Sequence, residues 1–274
     1  MDVFYVCIRI PKCGSTSLSF FLDSVFAQAR KFYLPHTLDL DGACSRFQSL
    51  RFIRTQSRNL FKHYGTLCLH RAFEIISENA RSGDLIDGGH LDFPSVRLNL
   101  RKQVKLITLF REPGVRVHSE YHYFRETHLK RNALTRFDAG LRPKIAAKYS
   151  FDGYLDFLLE RRAVYGDLAA RYVGWDGAQS LSAYFDDNVF HAGLLEEQGA
   201  FAQGLCAKLG MEISFPHRNV TAARPKELLT NHQRQKVAEI FPRDLALYEW
   251  QRERVQAKPP RTNGLPASEA KRAA

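Results

Sequence analysis

Two short constellations in this chain combine side chains that hold phosphate groups. The first is Pro11-Lys12-Cys13-Gly14-Ser15-Thr16-Ser17, one lysine set among small and hydroxyl-bearing residues. A lysine, backbone N–H groups and a helix N-terminus that converge on one point make an anion site. The helix dipole and the orphan donors of its first turn both favour negative charge. The second is Arg111-Glu112-Pro113-Gly114-Val115-Arg116-Val117-His118-Ser119. A guanidinium and a hydroxyl at that spacing can hold one phosphate together. Read singly, each has a plainer meaning. Serine and threonine can merely cap a helix, Arg111 can end a strand in an ion pair, and Ser119 can be a small packing residue. The lysine tips the first constellation toward phosphate.

The elements that must position these residues are legible around them. The apolar run from Val3 to Ile10 reads as a buried strand that Pro11 ends. A helix pattern starts at Leu18 and puts Phe21, Leu22 and Val25 on one face. The loop between them is not the usual nucleoside-triphosphate loop, since Lys12 precedes Gly14 and no glycine lies upstream in it. Val104–Phe110 is near-continuously apolar, as in a strand buried on both faces. Pro113 can then serve the first turn of a helix carrying Val117, Tyr121 and Phe124 as its apolar stripe. Further strands are read at Leu85 and Val189, and a further helix from about Glu197 to Leu209. This alternation predicts an α/β fold: a single domain with a central parallel sheet flanked by helices and a P-loop-like nucleotide-binding core. Ligands of such sheets bind beyond the carboxyl ends of the strands, where Lys12, His90 and Arg111 all fall. The domain is expected over 1–256, with 125–162 a helical excursion over the active site and 257–274 a disordered C-terminal tail.

Together the two constellations resemble the sulfotransferases that use 3′-phosphoadenosine-5′-phosphosulfate (PAPS). In that superfamily a Pro-Lys-(Ser/Thr)-(Gly/Ala)-(Gly/Ser)-Thr-(Ser/Thr) loop holds the 5′-phosphosulfate, and an Arg-(Asp/Glu)-Pro-x-x-Arg-x-x-Ser segment holds the 3′-phosphate. Cys13 stands where threonine is common, at a cost of at most one hydroxyl donor, and Glu112 replaces the more frequent aspartate. The resemblance implies donor contacts from Lys12, Cys13, Gly14, Ser15, Thr16, Ser17, Arg111 and Ser119, PAP as product, and no metal. A third segment, Leu85-Ile86-Asp87-Gly88-Gly89-His90, is similar to the Golgi-type carbohydrate sulfotransferases, closest to the uronyl and heparan 2-O group. There the histidine of a Gly-His pair is the catalytic base, a role the resemblance gives to His90. The chemistry suits it, because a neutral imidazole with a pKa near 6.5 can take the proton of an attacking sugar hydroxyl. An ordinary turn at Gly88-Gly89 with a solvated His90 is the bland alternative. The 2-O enzymes also carry a second histidine where this chain has Gly88. Farther on, Val189–Glu197 looks like the family's strand ending in a Gly-x-x-Glu-Glu phrase. His217–Thr221 with Arg224 and Lys226 resembles the late loop that closes over the nucleotide, which adds Thr221 and Arg224 to the donor contacts. The acceptor implied is a glycan or another hydroxyl-bearing molecule.

Composition agrees with an anionic partner. The chain has 274 residues and a net charge of +11, and Arg97–Arg162 alone holds 15 Lys/Arg against 7 Asp/Glu. PAPS is itself highly anionic, and an acidic acceptor would add to the demand. No nucleic-acid reading motif is present. The five cysteines, Cys7, Cys13, Cys44, Cys68 and Cys206, form no C-x-x-C pair, which argues against a disulfide framework or a zinc site. No signal peptide or membrane span is read. That points to a compact cytoplasmic enzyme of bacterial type, although an excised Golgi lumenal domain would look alike. Two other functions stay open at this level. A P-loop kinase would need an acidic magnesium ligand, for which Asp87 could be argued, but it leaves Arg111 and Ser119 without a role. A non-catalytic binder of acidic polymers would need neither His90 nor Lys12.

Overall fold

Strand and helix alternate through the first half of the chain: β1 (Phe4–Cys7), α1 (Ser15–Val25), β2 (Lys31–Tyr33), α2 (Leu69–Asn79), β3 (Leu85–Asp87), α3 (Phe93–Leu100), β4 (Val104–Phe110) and α4 (Pro113–Leu129). Helices then dominate: α5 (Leu141–Lys148), α6 (Phe151–Glu160), α7 (Arg162–Tyr165), α8 (Leu168–Val173) and α9 (Leu181–Asn188). Strand β5 (Val189–Leu194), α10 (Gln198–Leu209), α11 (Asn231–Ile240) and α12 (Pro242–Ala257) complete the order. These elements come from a computed structural model that describes residues 3–34, 69–100, 102–130, 140–211 and 229–257.

The strands form one five-stranded sheet in the order β2-β3-β1-β4-β5, and every neighbouring pair is parallel. The central strand β1 and its neighbour β4 carry apolar residues on both faces. Side chains alternate across a strand, so each sends one set to either side. Phe4, Val6, Val104, Leu106 and Phe110 join a core with α2, α3, α8, α9 and α12. Cys7, Ile107 and Leu109 join a second core, built on Leu18, Phe21, Leu22 and Val25 of α1 and on Phe201, Ala202 and Leu205 of α10. The α1 residues are the face read from the sequence. A third cluster lies away from the sheet, where Val117 and Tyr121 of α4 pack with Ala146, Tyr154, Leu155, Leu158, Val237 and Ile240.

The expected α/β architecture and parallel sheet are therefore present, with strand, loop and helix in the P-loop-like order at β1 and α1. Two boundaries differ from the sequence reading. The first strand is shorter than Val3–Ile10, because Arg9 and Ile10 turn into the loop. Within the segment 125–162, expected as an excursion, Arg125–Leu129 continue the helix that starts at Pro113. The segment's further described elements are α5 and α6, which pack with α4. Of the tail expected over 257–274, Ala257 still belongs to α12, and residues 258–274 lie outside the described residues. Among the described residues no helix is long and apolar enough to cross a membrane.

Candidate functional site

The loop after β1 is held by backbone bonds from two strands. Ile8 N–H donates to the Ile107 carbonyl at 3.2 Å and Arg9 N–H to the Gly89 carbonyl at 2.8 Å. Lys12 then takes a left-handed backbone, φ 65°, a conformation that costs a non-glycine residue roughly 1–3 kcal/mol and persists only where its surroundings impose it. Gly14 is left-handed too, at φ 76°, and a Cβ there would overlap Leu195 Cδ1. It caps α1 with no side-chain hydrogen bond. The first-turn donors of a helix have no intrahelical partner, so the Ser15, Thr16 and Ser17 N–H groups lie at an N-terminus that no side chain caps. Ser15 Oγ is 3.5 Å from the Ile10 carbonyl, and Thr16 is exposed.

Cys13 belongs to the fold rather than to the loop's polar surface. Its side chain is 2% exposed within the larger core, its N–H donates to the Ile10 carbonyl at 3.2 Å, and burial pushes its thiol up to about 12. A residue so placed contributes packing in place of the hydroxyl donor that threonine would offer.

The second constellation meets the first. Arg111 follows the last residue of β4, and its Nη1 donates to the Lys12 carbonyl at 3.1 Å. Glu112 is the N-cap of α4; its carboxylate accepts from the N–H groups of Gly114 at 2.9 Å and Val115 at 2.5 Å. Its own N–H donates to Glu196 Oε1 at 3.4 Å, so the Glu-Glu phrase after β5 lies against this corner. Ser119 is part-exposed on α4, one turn before Tyr123. Residues four apart are neighbours on a helix face. Lys12 Nζ stands 4.2 Å from the Tyr123 ring centroid, which sets the lysine against the helix that carries Ser119. Burial, and then the Arg111 charge, push the Lys12 pKa down, while Glu120 and Glu126 oppose them.

His90 reaches this edge through the turn after β3. At Gly88 a Cβ would stand 2.6 Å from Ile8 Cδ1 and 3.2 Å from the Cys7 carbonyl oxygen, so a larger residue there needs the Ile8 side chain to shift. Gly89 is left-handed, φ 60°. The Nδ1 of His90 lies 2.5 Å from the Arg9 carbonyl. A carbonyl only accepts, so Nδ1 carries the proton and Nε2 is the acceptor nitrogen of the neutral ring. Burial lowers the His90 pKa first of all; the bond to the Arg9 carbonyl opposes it and the Arg9 charge assists it. Asp87 is occupied, with Arg9 Nε at 3.1 Å and the Gly89 N–H at 2.9 Å.

Sequence reasoning missed two features. Arg9 ties β1, β3 and α1 together, through Asp87, through Ser19 Oγ at 3.1 Å, and through its carbonyl on His90. A lone charge inside an apolar run was the signal. Arg116, the middle arginine of the second constellation, is 2% exposed and sits among buried charges, with Glu120 at 3.7 Å and Asp244 at 3.6 Å. Glu120 also accepts from Tyr154 Oη at 2.7 Å and Arg142 Nη1 at 3.3 Å. This network locks the helix that carries Ser119 to α5, α6 and α12. Nothing in the local sequence pairs Arg116 with Asp244. Thr221 and Arg224 lie outside the described residues, as do Cys44 and Cys68.

The sulfotransferase domain family matches residues 5–185, more than half of the chain, and the chain belongs to that family. No curated protein matches it. Among solved structures, a sulfotransferase from Alicyclobacillus acidocaldarius is 20% identical, with a TM-score of 0.46, over 91% of this chain and 94% of that one. Mouse sulfotransferase SULT7A1 complexed with PAP is 14% identical, with a TM-score of 0.44, over 78% of this chain. The match spans 60% of the mouse chain. Shikimate kinase from Bacteroides thetaiotaomicron is 12% identical over 76% of this chain, with a TM-score of 0.35.

Proposed function

We propose that this sulfotransferase moves the sulfuryl group of PAPS to a hydroxyl of a carbohydrate and releases PAP. The observation that carries the reading is the bond from Arg111 to the Lys12 carbonyl. It joins the two constellations that this reading assigns to phosphate, at the carboxyl edge of the sheet to which the turn carrying His90 also belongs. Arg111 and Ser119 hold the 3′-phosphate, and the loop from Lys12 to Ser17 holds the 5′-phosphosulfate. Thr221 and Arg224 complete the donor contacts from the late loop. Fixing both ends of the donor leaves the sulfur at a set distance from the acceptor, so less of the barrier is orientational.

His90 Nε2 takes the proton of the acceptor hydroxyl as its oxygen attacks sulfur. Its bond to the Arg9 carbonyl keeps Nε2 in the accepting tautomer, and its lowered pKa keeps the ring neutral near pH 7. As the sulfur–oxygen bond to the phosphate breaks, negative charge grows on the leaving oxygen. Lys12 and the uncapped N–H groups of α1 stabilise it there. The carbohydrate class rests on the likeness of the Gly-His segment to the Golgi-type enzymes and on the surplus of positive charge, which suits an acidic glycan. Incubation with radiolabelled PAPS and a panel of glycans and small hydroxyl compounds tests the reading. Label should enter a carbohydrate, and transfer should need both Lys12 and His90. A protein that binds the nucleotide yet labels no acceptor would be a binder instead.

A further inference from the structure

Two contacts grip Lys12, and only one of them belongs to the constellations read from the sequence. Arg111 Nη1 holds its main chain through the carbonyl, at 3.1 Å. The ring of Tyr123 holds its side chain, with Nζ 4.2 Å from the centroid. Tyr123 is 51% exposed, so the ring is not a core residue that the lysine happens to touch; its recorded ring neighbour is Phe124, at 5.9 Å. It stands one helical turn after Ser119. From the contact of ring and ammonium, resting on the sulfotransferase reading of Lys12, we propose that Tyr123 is a positioning residue that holds the lysine charge over the mouth of the loop, where the donor's 5′-phosphosulfate arrives.

The physical need for such a holder is visible around the lysine. A four-carbon side chain on a left-handed backbone has many orientations to lose on binding a phosphate. An aromatic face attracts an ammonium and confines it beforehand, while the remaining N–H bonds of the ammonium stay able to meet an oxygen. The charged groups that act on Lys12 are Arg111, at the end of β4, and Glu120 and Glu126, on α4. Arg111 and burial disfavour the ammonium and the two carboxylates favour it; the ring adds to the favourable side. The tyrosine hydroxyl plays no part, so phenylalanine should serve equally well.

The test is calorimetric titration of the full chain with adenosine 3′,5′-bisphosphate from pH 8 to pH 10.5, in which range both phosphates stay ionised. Tyr123→Leu should weaken binding roughly two- to fivefold at pH 8, the worth of a cation–π contact at an exposed site. It should also move the alkaline loss of binding to lower pH, because the ammonium gives up its proton more readily without the ring. Tyr123→Phe should restore both to within twofold of the parent. A leucine variant with the parent's affinity and alkaline limb would overturn the proposal. So would a leucine variant that binds more tightly, or a phenylalanine variant as weak as leucine. If the parent itself did not prefer the bisphosphate over 5′-AMP, the reading of Arg111 and Ser119 as the 3′-phosphate clamp would fall, and with it the sulfotransferase reading on which the proposal rests. That result is distinct from a parent that shows the preference while Tyr123 is silent.

Discussion

Replacing His90 with alanine separates proton removal from donor binding. In the folded protein the imidazole is buried enough for its pKa to lie below 6.5. The neutral ring is the working form, so turnover should fall as pH drops through that lowered value and stay level from there through neutrality. The alkaline limb belongs to Lys12, whose pKa is lowered from 10.5 and which works charged, so turnover falls as pH rises through it. Loss of a general base costs on the order of 10²–10⁴ in rate, or about 2.7–5.4 kcal/mol of barrier. His90→Ala should show that loss, and its acid limb should vanish while its affinity for the bisphosphate is kept. The substitution also leaves the Arg9 carbonyl without the partner that stands at 2.5 Å, which costs about 1–3 kcal/mol of stability. Rates should therefore be measured far below the midpoint of unfolding. Full turnover with an unchanged acid limb would refute the reasoning. The base would then be sought among His70, His118 and His122.

Three further outcomes follow from the same geometry. Gly14→Ala forces a Cβ onto a left-handed backbone against Leu195; it should cost about 1–2 kcal/mol in urea unfolding and weaken bisphosphate binding as the loop shifts. Glu120→Ala removes the buried carboxylate that Arg116 and Arg142 share. A broken buried pair costs about 3–5 kcal/mol, so a fall in denaturation midpoint well beyond that of an exposed substitution is expected. Activity should survive excess EDTA, because Lys12, Arg111 and the α1 donors are assigned the charge that magnesium neutralises in kinases; loss with chelator and rescue by magnesium with ATP would favour a kinase.

The parts of the fold that sequence reveals are those with a strong period. β1, β4, α1 and α4 carry apolar patterns that match their burial, and Pro113 marks the start of α4. The edge strand β2, Lys31–Tyr33, is too short to show a period and was not anticipated. The placement of Lys12, His90 and Arg111 just beyond the ends of β1, β3 and β4 was legible because each follows an apolar run. Cys13 looked like a loop ligand because its spacing matches the loop, yet its side chain faces the core. The Arg116–Glu120–Asp244 cluster was not legible, since it joins segments far apart in the chain whose meeting only tertiary packing decides. Gly88 was noted as a departure from the 2-O pattern; that a Cβ there would crowd Ile8 and the Cys7 carbonyl needed coordinates.

The central claim is that Arg111 and Ser119 complete a nucleotide site begun by the Lys12 loop, and one comparison of affinities tests it. Calorimetry of the full chain should find adenosine 3′,5′-bisphosphate bound more tightly than 5′-AMP by about 1.5–3 kcal/mol, the worth of charge-assisted contacts to the 3′-phosphate. That is roughly a ten- to 150-fold preference. Arg111→Ala should erase most of it while leaving 5′-AMP binding much less affected. Equal affinity for the two nucleotides in the parent protein would contradict the account.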